Sequence, residues 1–228
     1  LLNRSKMNRE QIEQRFIEYG MKFDSSVIDQ FAQFLDLFVE YNSHTNLSAI
    51  REREDIVLKH FIDSLMVRKF LTLSGMVLDI GTGGWFPGIP LAIVDPELHV
   101  VLLDSVGKKI RACQHFMTNL GLQNIEAFQS RAEEFYKFFE EPIFFDAIVS
   151  RSTAQMDIMI DYARPLLRLG WSLILYKTPD AKEWTNGLRR AKQLGFALEA
   201  DHPYTLDIEK DEADQHIRHI VVFQKKKD

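Results

Sequence analysis

Three carboxylates and a glycine-rich turn carry most of the chemistry that this sequence offers. Val77-Leu78-Asp79-Ile80 reads as a buried strand, and it breaks at once into a loop holding Gly81, Gly83, Gly84 and Gly88. Asp79 and the first two glycines give the spacing D-x-G-x-G. Asp104 closes the next apolar run, HVVLLD, and Glu133 follows IEAFQ in the stretch Arg131-Ala132-Glu133. A strand, a glycine loop and a helix in succession aim backbone N–H groups at the carboxyl edge of a sheet, where negative or polar ligands bind. A dinucleotide there needs G-x-G-x-x-G, but the residue three after Gly83 is Phe86, followed by Pro87, so that fingerprint fails. A carboxylate at Asp79 would repel a pyrophosphate. It suits the cationic end of S-adenosylmethionine, whose amino group it can bind directly or through water. Asp104, at the next strand end, can accept both ribose hydroxyls of an adenosine. Ala132 and Glu133, after the third strand, lie where an adenine edge would. Asp79, Gly81, Gly83, Asp104 and Glu133 together argue for a nucleoside cofactor, S-adenosylmethionine above all.

Positioning these groups requires alternating strands and helices, and the sequence supplies them from Met76 onward. MVLDI, HVVLLD, IEAFQ, FDAIVS, WSLILYK, FALEADHPY and HIRHIVVFQ read as strands, with helical stretches between the first six. That alternation predicts a mostly parallel sheet with helices on both faces. The last two strands are joined by the loop TLDIEKDEADQ, which predicts an antiparallel pair at the sheet's end. The first third reads helical. Ile12, Phe16 and Tyr19 recur at helical spacing before Gly20. Val27, Ile28, Phe31, Phe34, Leu35 and Phe38 form one apolar stripe, with Asp24 or Ser25 able to cap it. REREDIVLKHFIDSLMVRKF is a third amphipathic segment. The expected organisation is a helical extension over residues 1–70 packed on a domain over 71–228.

The 228 residues suffice for one α/β domain with an extension, and a composition of 46% hydrophobic and 27% charged residues is ordinary for a globular chain. No apolar run is long enough to span a bilayer, and no signal peptide is visible. The single cysteine, Cys113, excludes an intrachain disulfide and a multi-cysteine zinc site. A cytoplasmic protein is expected. The net charge of −5 argues against a general nucleic-acid coat while leaving room for a local basic patch.

LDIGTGGWFPGIPLAIV, LLDSVGKKIR, NIEAFQSRAEEF and FDAIVSRS resemble the bacterial small-subunit ribosomal RNA guanine-N7 methyltransferases, the RsmG or GidB family. YNSHTNLSAI and KHFIDSL resemble that family's helical entry segment, and RHIVVFQK its closing strand. The resemblance runs from about Phe34 to Lys225, and G-T-G-x-x-F-P-G-I-P-L is its most specific piece. It implies a Rossmann-like class I S-adenosylmethionine-dependent methyltransferase fold, with a seven-stranded, mostly parallel sheet and an N-terminal helical extension. The implied cofactor positions are Gly81 and Phe86, Asp104 with Ser105 and Val106, Ala132 with Glu133, and Arg151. The implied substrate is one guanine of 16S ribosomal RNA, free or in the 30S particle, and a monomer is expected. The chain departs from the family's usual pattern at three places. Trp85 stands where a third glycine is usual, Ser152-Thr153 follows Ser150-Arg151 in place of Ala-Phe, and Leu175-Tyr176-Lys177-Thr178 replaces Ala-Leu-Lys-Gly.

Guanine N7 is nucleophilic and unprotonated at neutral pH, so methylating it needs no general base, and no catalytic acid–base pair is nominated. Arg151, at the fourth strand's end, is the substrate-positioning candidate, with a structural ion pair to Glu133 or Asp79 as its alternative. Arg51, Arg53, Lys108, Lys109 and Lys177 are candidate RNA contacts. Trp85 can either cover the cofactor or a flipped base, or pack beneath the helical extension. If its φ must be positive it is strained, unless Gly84 absorbs that dihedral. His60 and Asp63 are too few ligands for a metal site, and with Ser64 they suit a hydrogen-bonded hinge between the helical extension and the sheet. Cys113 reads as core. Two rival readings are a methyltransferase with another acceptor and a binding module in which Trp85 blocks transfer. A nicotinamide oxidoreductase is the least favoured reading, because the fingerprint fails and no Tyr-x-x-x-Lys pair occurs.

Overall fold

The computed structural model describes residues 7–45, 48–207 and 216–227. Residues 46–47 of the entry segment and most of the loop joining the last two strands, 208–215, lie outside them. Helix α1 (Arg9–Glu18) opens on a capping box: Asn8 Oδ1 accepts the Gln11 N–H and Gln11 Oε1 accepts the Asn8 N–H. Helix α2 (Ser25–Thr45) starts behind Asp24, whose carbonyl accepts the Val27 and Ile28 N–H groups. Ile28, Phe31, Phe34, Leu35 and Phe38 of the apolar stripe are at most 1% exposed. Burying such a stripe, at about 1.5–3 kcal/mol per large side chain, is what fixes the helix on the sheet.

The third helical segment is not one regular helix. It runs through α3 (Arg53–Ile56), a π-helical turn (Val57–Ile62), α4 (Asp63–Leu65) and a 3-10 turn (Met66–Lys69). Residues 61–67 are all buried, including Asp63 and Ser64. The amphipathic pattern therefore understates how deeply this segment sits, and π turns commonly mark functional positions.

The strands are β1 (Met76–Ile80), β2 (His99–Asp104), β3 (Ile125–Gln129), β4 (Phe145–Arg151), β5 (Leu167–Lys177), β6 (Phe196–Thr205) and β7 (Ile217–Lys225). They form a seven-stranded sheet in the order β3-β2-β1-β4-β5-β7-β6. β7 runs antiparallel to both neighbours, and the other pairings are parallel. β5 begins four residues before the expected Trp171, with a register irregularity between Phe145 and Ala147. One sheet face carries α1, α2, α5 (Gly88–Val94) and α6 (Gly107–Asn119) in a single apolar cluster that runs from Ile12 to Val222. The other face buries α7 (Ala132–Phe135), α8 (Met156–Ala163) and α9 (Ala181–Gln193). The strand order reverses between β1 and β4. In such sheets the crevice beyond the strand ends at the reversal is where ligands bind.

Candidate functional site

A cleft of about 560 Å³ opens at that reversal, within the usual range for small-molecule sites. Its wall contains Gly81, Gly83, Phe86, Asp104, Ser105, Val106, Ala132, Glu133 and Arg151, contributed by the ends of β1, β2, β3 and β4. Gly81 has φ +69, and a Cβ there would fall 2.2 Å from Thr153 Cγ2. The strand end and the turn after β4 thus close on each other through a position open only to glycine. Asp104 binds the glycine loop to β2. Its Oδ2 accepts the Gly83 N–H (3.0 Å) and faces Lys109 Nζ (3.4 Å), while Oδ1 accepts the Val106 N–H (2.8 Å). These bonds fix the carboxylate at the cleft wall and leave lone pairs for hydroxyl donors. Glu133 stands on the rim, about half exposed. The glycine cradle, the fixed carboxylate and the polar rim fit a nucleoside-bearing cofactor.

Trp85 takes the left-handed conformation itself, at φ +75, and Gly84 does not relieve it. The side chain is fully buried and is absent from the cleft wall. It packs edge-on against Phe116 (4.6 Å between centroids) and Phe38 (5.3 Å), and its indole N–H reaches the Lys109 carbonyl at 3.3 Å. The left-handed backbone turns the indole beneath the helical extension, away from the ligand space. The Phe86–Pro87 bond that follows is cis.

The expectation for Asp79 is corrected. It is 0% exposed and lies outside the cleft wall. Its Oδ2 accepts the Gly88 N–H at 2.9 Å, so it serves the first turn of α5 from inside the core. Gly88 permits that approach, since a Cβ there would lie 2.1 Å from Leu102 Cδ2. Asp79 Oδ1 has no hydrogen bond, and the Thr82 hydroxyl stands beside it without completing a bond of normal geometry. Burial raises the Asp79 pKa to about 7, against the opposing effect of Thr82 and the Gly88 N–H. The folded protein therefore holds this proton more tightly than the unfolded chain, and stability falls as pH rises from about 3.8 towards 7. Asp79→Asn keeps the acceptor for Gly88 and removes the ionisation. Its stability, followed by melting temperature, is expected to gain on the wild type across that window by at most about 1.4 kcal/mol per pH unit, with a level gap above it. Parallel melting curves at several pH values would overturn this reading of Asp79.

Beside the cleft, the third helical segment meets the sheet through a buried hub at Asp63. This side chain is 1% exposed. Its Oδ2 accepts from Arg151 (2.7 Å) and Arg218 (3.0 Å), and its Oδ1 accepts the Tyr204 hydroxyl (2.7 Å). Tyr176 donates to the Ser64 carbonyl. The expected hinge of His60, Asp63 and Ser64 is thus present, and Arg151 belongs to it. The ion pair of Arg151 is with Asp63, not with Glu133 or Asp79, because the buried segment brings Asp63 nearer. Arg151 also donates to the Lys59 carbonyl and lies over the Phe86 ring. His60 stacks on Phe86 at 4.4 Å. Its Nδ1 faces Arg151 Nη2 (3.2 Å), which can only donate, so Nε2 carries the proton and points it at Ser48 Oγ (3.1 Å). Burial and the Arg151 charge lower the His60 pKa to about 3, which keeps the ring neutral.

Of the RNA candidates, two are otherwise engaged. Lys177 donates to Glu183 and to the Ala154 carbonyl, both at 2.6 Å, and is mostly buried. Arg53 pairs with Asp36 on α2. Both are corrected to structural roles, because partners distant in sequence claim them. Arg51 bonds the Asn42 carbonyl, Lys108 is exposed, and Lys109 lines the cleft beside Asp104. Tyr204 and Arg218 were not singled out from sequence. The RH dipeptide opening the last strand was the only local trace of Arg218. Cys113 is buried in the core. Among the described residues no group of three or more His, Cys, Asp or Glu could hold a metal ion, and no helix is long and apolar enough to cross a membrane.

A family model described as GidB, rRNA small subunit methyltransferase G, matches residues 27–203. Ribosomal RNA small subunit methyltransferase G of Clostridium novyi (strain NT) is 35% identical over 209 residues, covering 90% of this chain and 84% of that protein. The protein of the same name from Deinococcus radiodurans is 37% identical over 202 residues, covering 87% and 78%. Among solved structures, precorrin-6y C5,15-methyltransferase from Geobacter metallireducens GS-15 superposes with a TM-score of 0.55 at 15% identity, over 79% of this chain and 92% of that one. Aeropyrum pernix fibrillarin, solved with natively bound S-adenosyl-L-methionine, gives 0.56 at 12% identity, over 72% and 75%. At those identities the two structures share the fold alone with this chain.

Proposed function

This chain belongs to the rRNA small subunit methyltransferase G family, and from that membership and the cleft we infer that it methylates N7 of a guanine in small-subunit ribosomal RNA. S-adenosylmethionine supplies the electrophilic methyl group. The observation that carries the reading is the cleft at the strand reversal, where Gly81, Gly83, Asp104 and Glu133 converge.

In this reading Asp104 receives the ribose hydroxyls, with Ser105 and Val106 alongside. Ala132 and Glu133 border the adenine, and Gly81, Gly83 and Phe86 bound the methionine end. Guanine N7 needs no base, so the chain's contribution is positioning and exclusion of water. The developing positive charge on the purine is offset by carbonyls and carboxylates around the cleft. Arg151 acts from the hinge, by holding the helical segment against the cleft wall. Arg51, Lys108 and Lys109 are the proposed phosphate contacts, and the small-subunit particle bound by a monomer is the proposed complex. The buried placement of Trp85 favours turnover over a binding module, because the indole does not occupy the ligand space.

The test is transfer of labelled methyl to small-subunit particles that lack base modifications. S-adenosylmethionine is expected to raise the melting temperature while NAD does not. Asp104→Ala is expected to weaken cofactor binding by about 1.5–3 kcal/mol, the scale of one charge-assisted hydrogen bond. Equal stabilisation by NAD, or full cofactor affinity in Asp104→Ala, would sink the assignment.

A further inference from the structure

A second cavity, of about 260 Å³, adjoins the cleft and shares Arg151, Ser152, Thr153 and Ala154 with it. Ser152, at this junction, is held in the left-handed region at φ +55. Strained non-glycine residues of this kind concentrate at ligand sites. The charged groups in the second wall are Asp63, Glu183, Arg151, Lys177 and Arg218. Three cations thus face two carboxylates, and the wall keeps one net positive charge. Lys177 and Glu183 neutralise each other at 2.6 Å. Asp63 is shared between the two arginines, so the excess resides on that pair. Arg151 is consumed by Asp63, the Lys59 carbonyl and His60. Among the described residues Arg218, about a third exposed, makes a single hydrogen bond, from Nη1 to Asp63. The rest of its guanidinium fork is available in a polar cavity contiguous with the cleft.

We propose that this second cavity binds a backbone phosphate of the RNA strand that presents its base to the cleft, with Arg218 as the binding residue and Asp63 as the residue that positions it. The proposal rests on the RNA methyltransferase reading, because phosphodiesters are the anions such an acceptor brings. A guanidinium fork pre-set by a buried carboxylate matches phosphate geometry better than a free lysine does. The arrangement also couples substrate to fold. The residue that aims Arg218 comes from the N-terminal helical segment, while Arg218 itself lies on β7.

Wild type, Arg218→Gln and Arg218→Lys, each saturated with S-adenosylhomocysteine, are titrated with a guanosine-containing single-stranded oligoribonucleotide, with GMP and with guanosine. In Arg218→Gln, oligoribonucleotide affinity is expected to fall about tenfold. Its salt slope should drop by about 0.7, as for one lost contact on a single strand. The preference for GMP over guanosine should vanish, and Arg218→Lys should recover part of it, while S-adenosylhomocysteine affinity stays unchanged. Unaltered oligoribonucleotide affinity and slope in Arg218→Gln would overturn the proposal. So would a parallel loss of S-adenosylhomocysteine affinity, which a merely structural arginine would cause. Failure of the wild type to methylate unmodified particles would count against the RNA methyltransferase reading, and GMP against guanosine would still decide whether Arg218 binds phosphate.

Discussion

Trp85→Ala is expected to lower the unfolding free energy by about 3–5 kcal/mol, the usual cost of deleting a fully buried large aromatic. For a chain of this size that is a fall in melting temperature on the order of 10 °C. The indole loses its contacts with Phe116, Phe38 and Tyr41 and its bond to the Lys109 carbonyl. Trp85→Gly removes the same packing but relieves a left-handed φ that costs a β-carbon-bearing residue about 1–3 kcal/mol. The glycine variant is therefore expected to be the more stable of the two, although glycine ordinarily destabilises. Affinity for S-adenosylmethionine should change little in either, since the indole does not line the cleft. Urea unfolding and calorimetry on the three proteins check both halves. An alanine variant as stable as the wild type would refute the packing argument, and a glycine variant that gains cofactor affinity would place the indole in the ligand space.

Asp63→Ala should be nearly as damaging, at about 3 kcal/mol. It removes the acceptor for two guanidiniums and a tyrosine hydroxyl at once. Breaking a buried ion pair from one side typically costs about 3–5 kcal/mol, because the remaining charge is left uncompensated. The estimate sits at the low end because Arg218 is about a third exposed and can be rehydrated. Asp63→Asn, which keeps the shape and one acceptor, should fall between the wild type and Asp63→Ala. Combining Asp63→Asn with Arg218→Gln should cost less than the sum of the single changes, since the second removes a charge that the first orphans. Additive losses in chemical denaturation would show that the two side chains are not coupled.

Local sequence patterns determined the strands and the helical run that precedes them. Strand runs such as MVLDI and HVVLLD are bounded by turn residues and match β1 and β2 end to end, because period and punctuation are local properties. The carboxylates at successive strand ends were legible because parallel topology brings all those ends to one edge. The side-chain directions at that edge were not legible. Asp79 reads from spacing as a ligand contact, yet it turns inward to the Gly88 N–H, a choice set by how closely α5 packs on β2. Lys177 and Arg53 read as free cations until folding brings Glu183 and Asp36 against them. The Asp63 hub unites residues 63, 151, 204 and 218, which no periodicity relates. Its partners were chosen by tertiary structure, because a carboxylate buried in the third helical segment must find its donors wherever the sheet presents them.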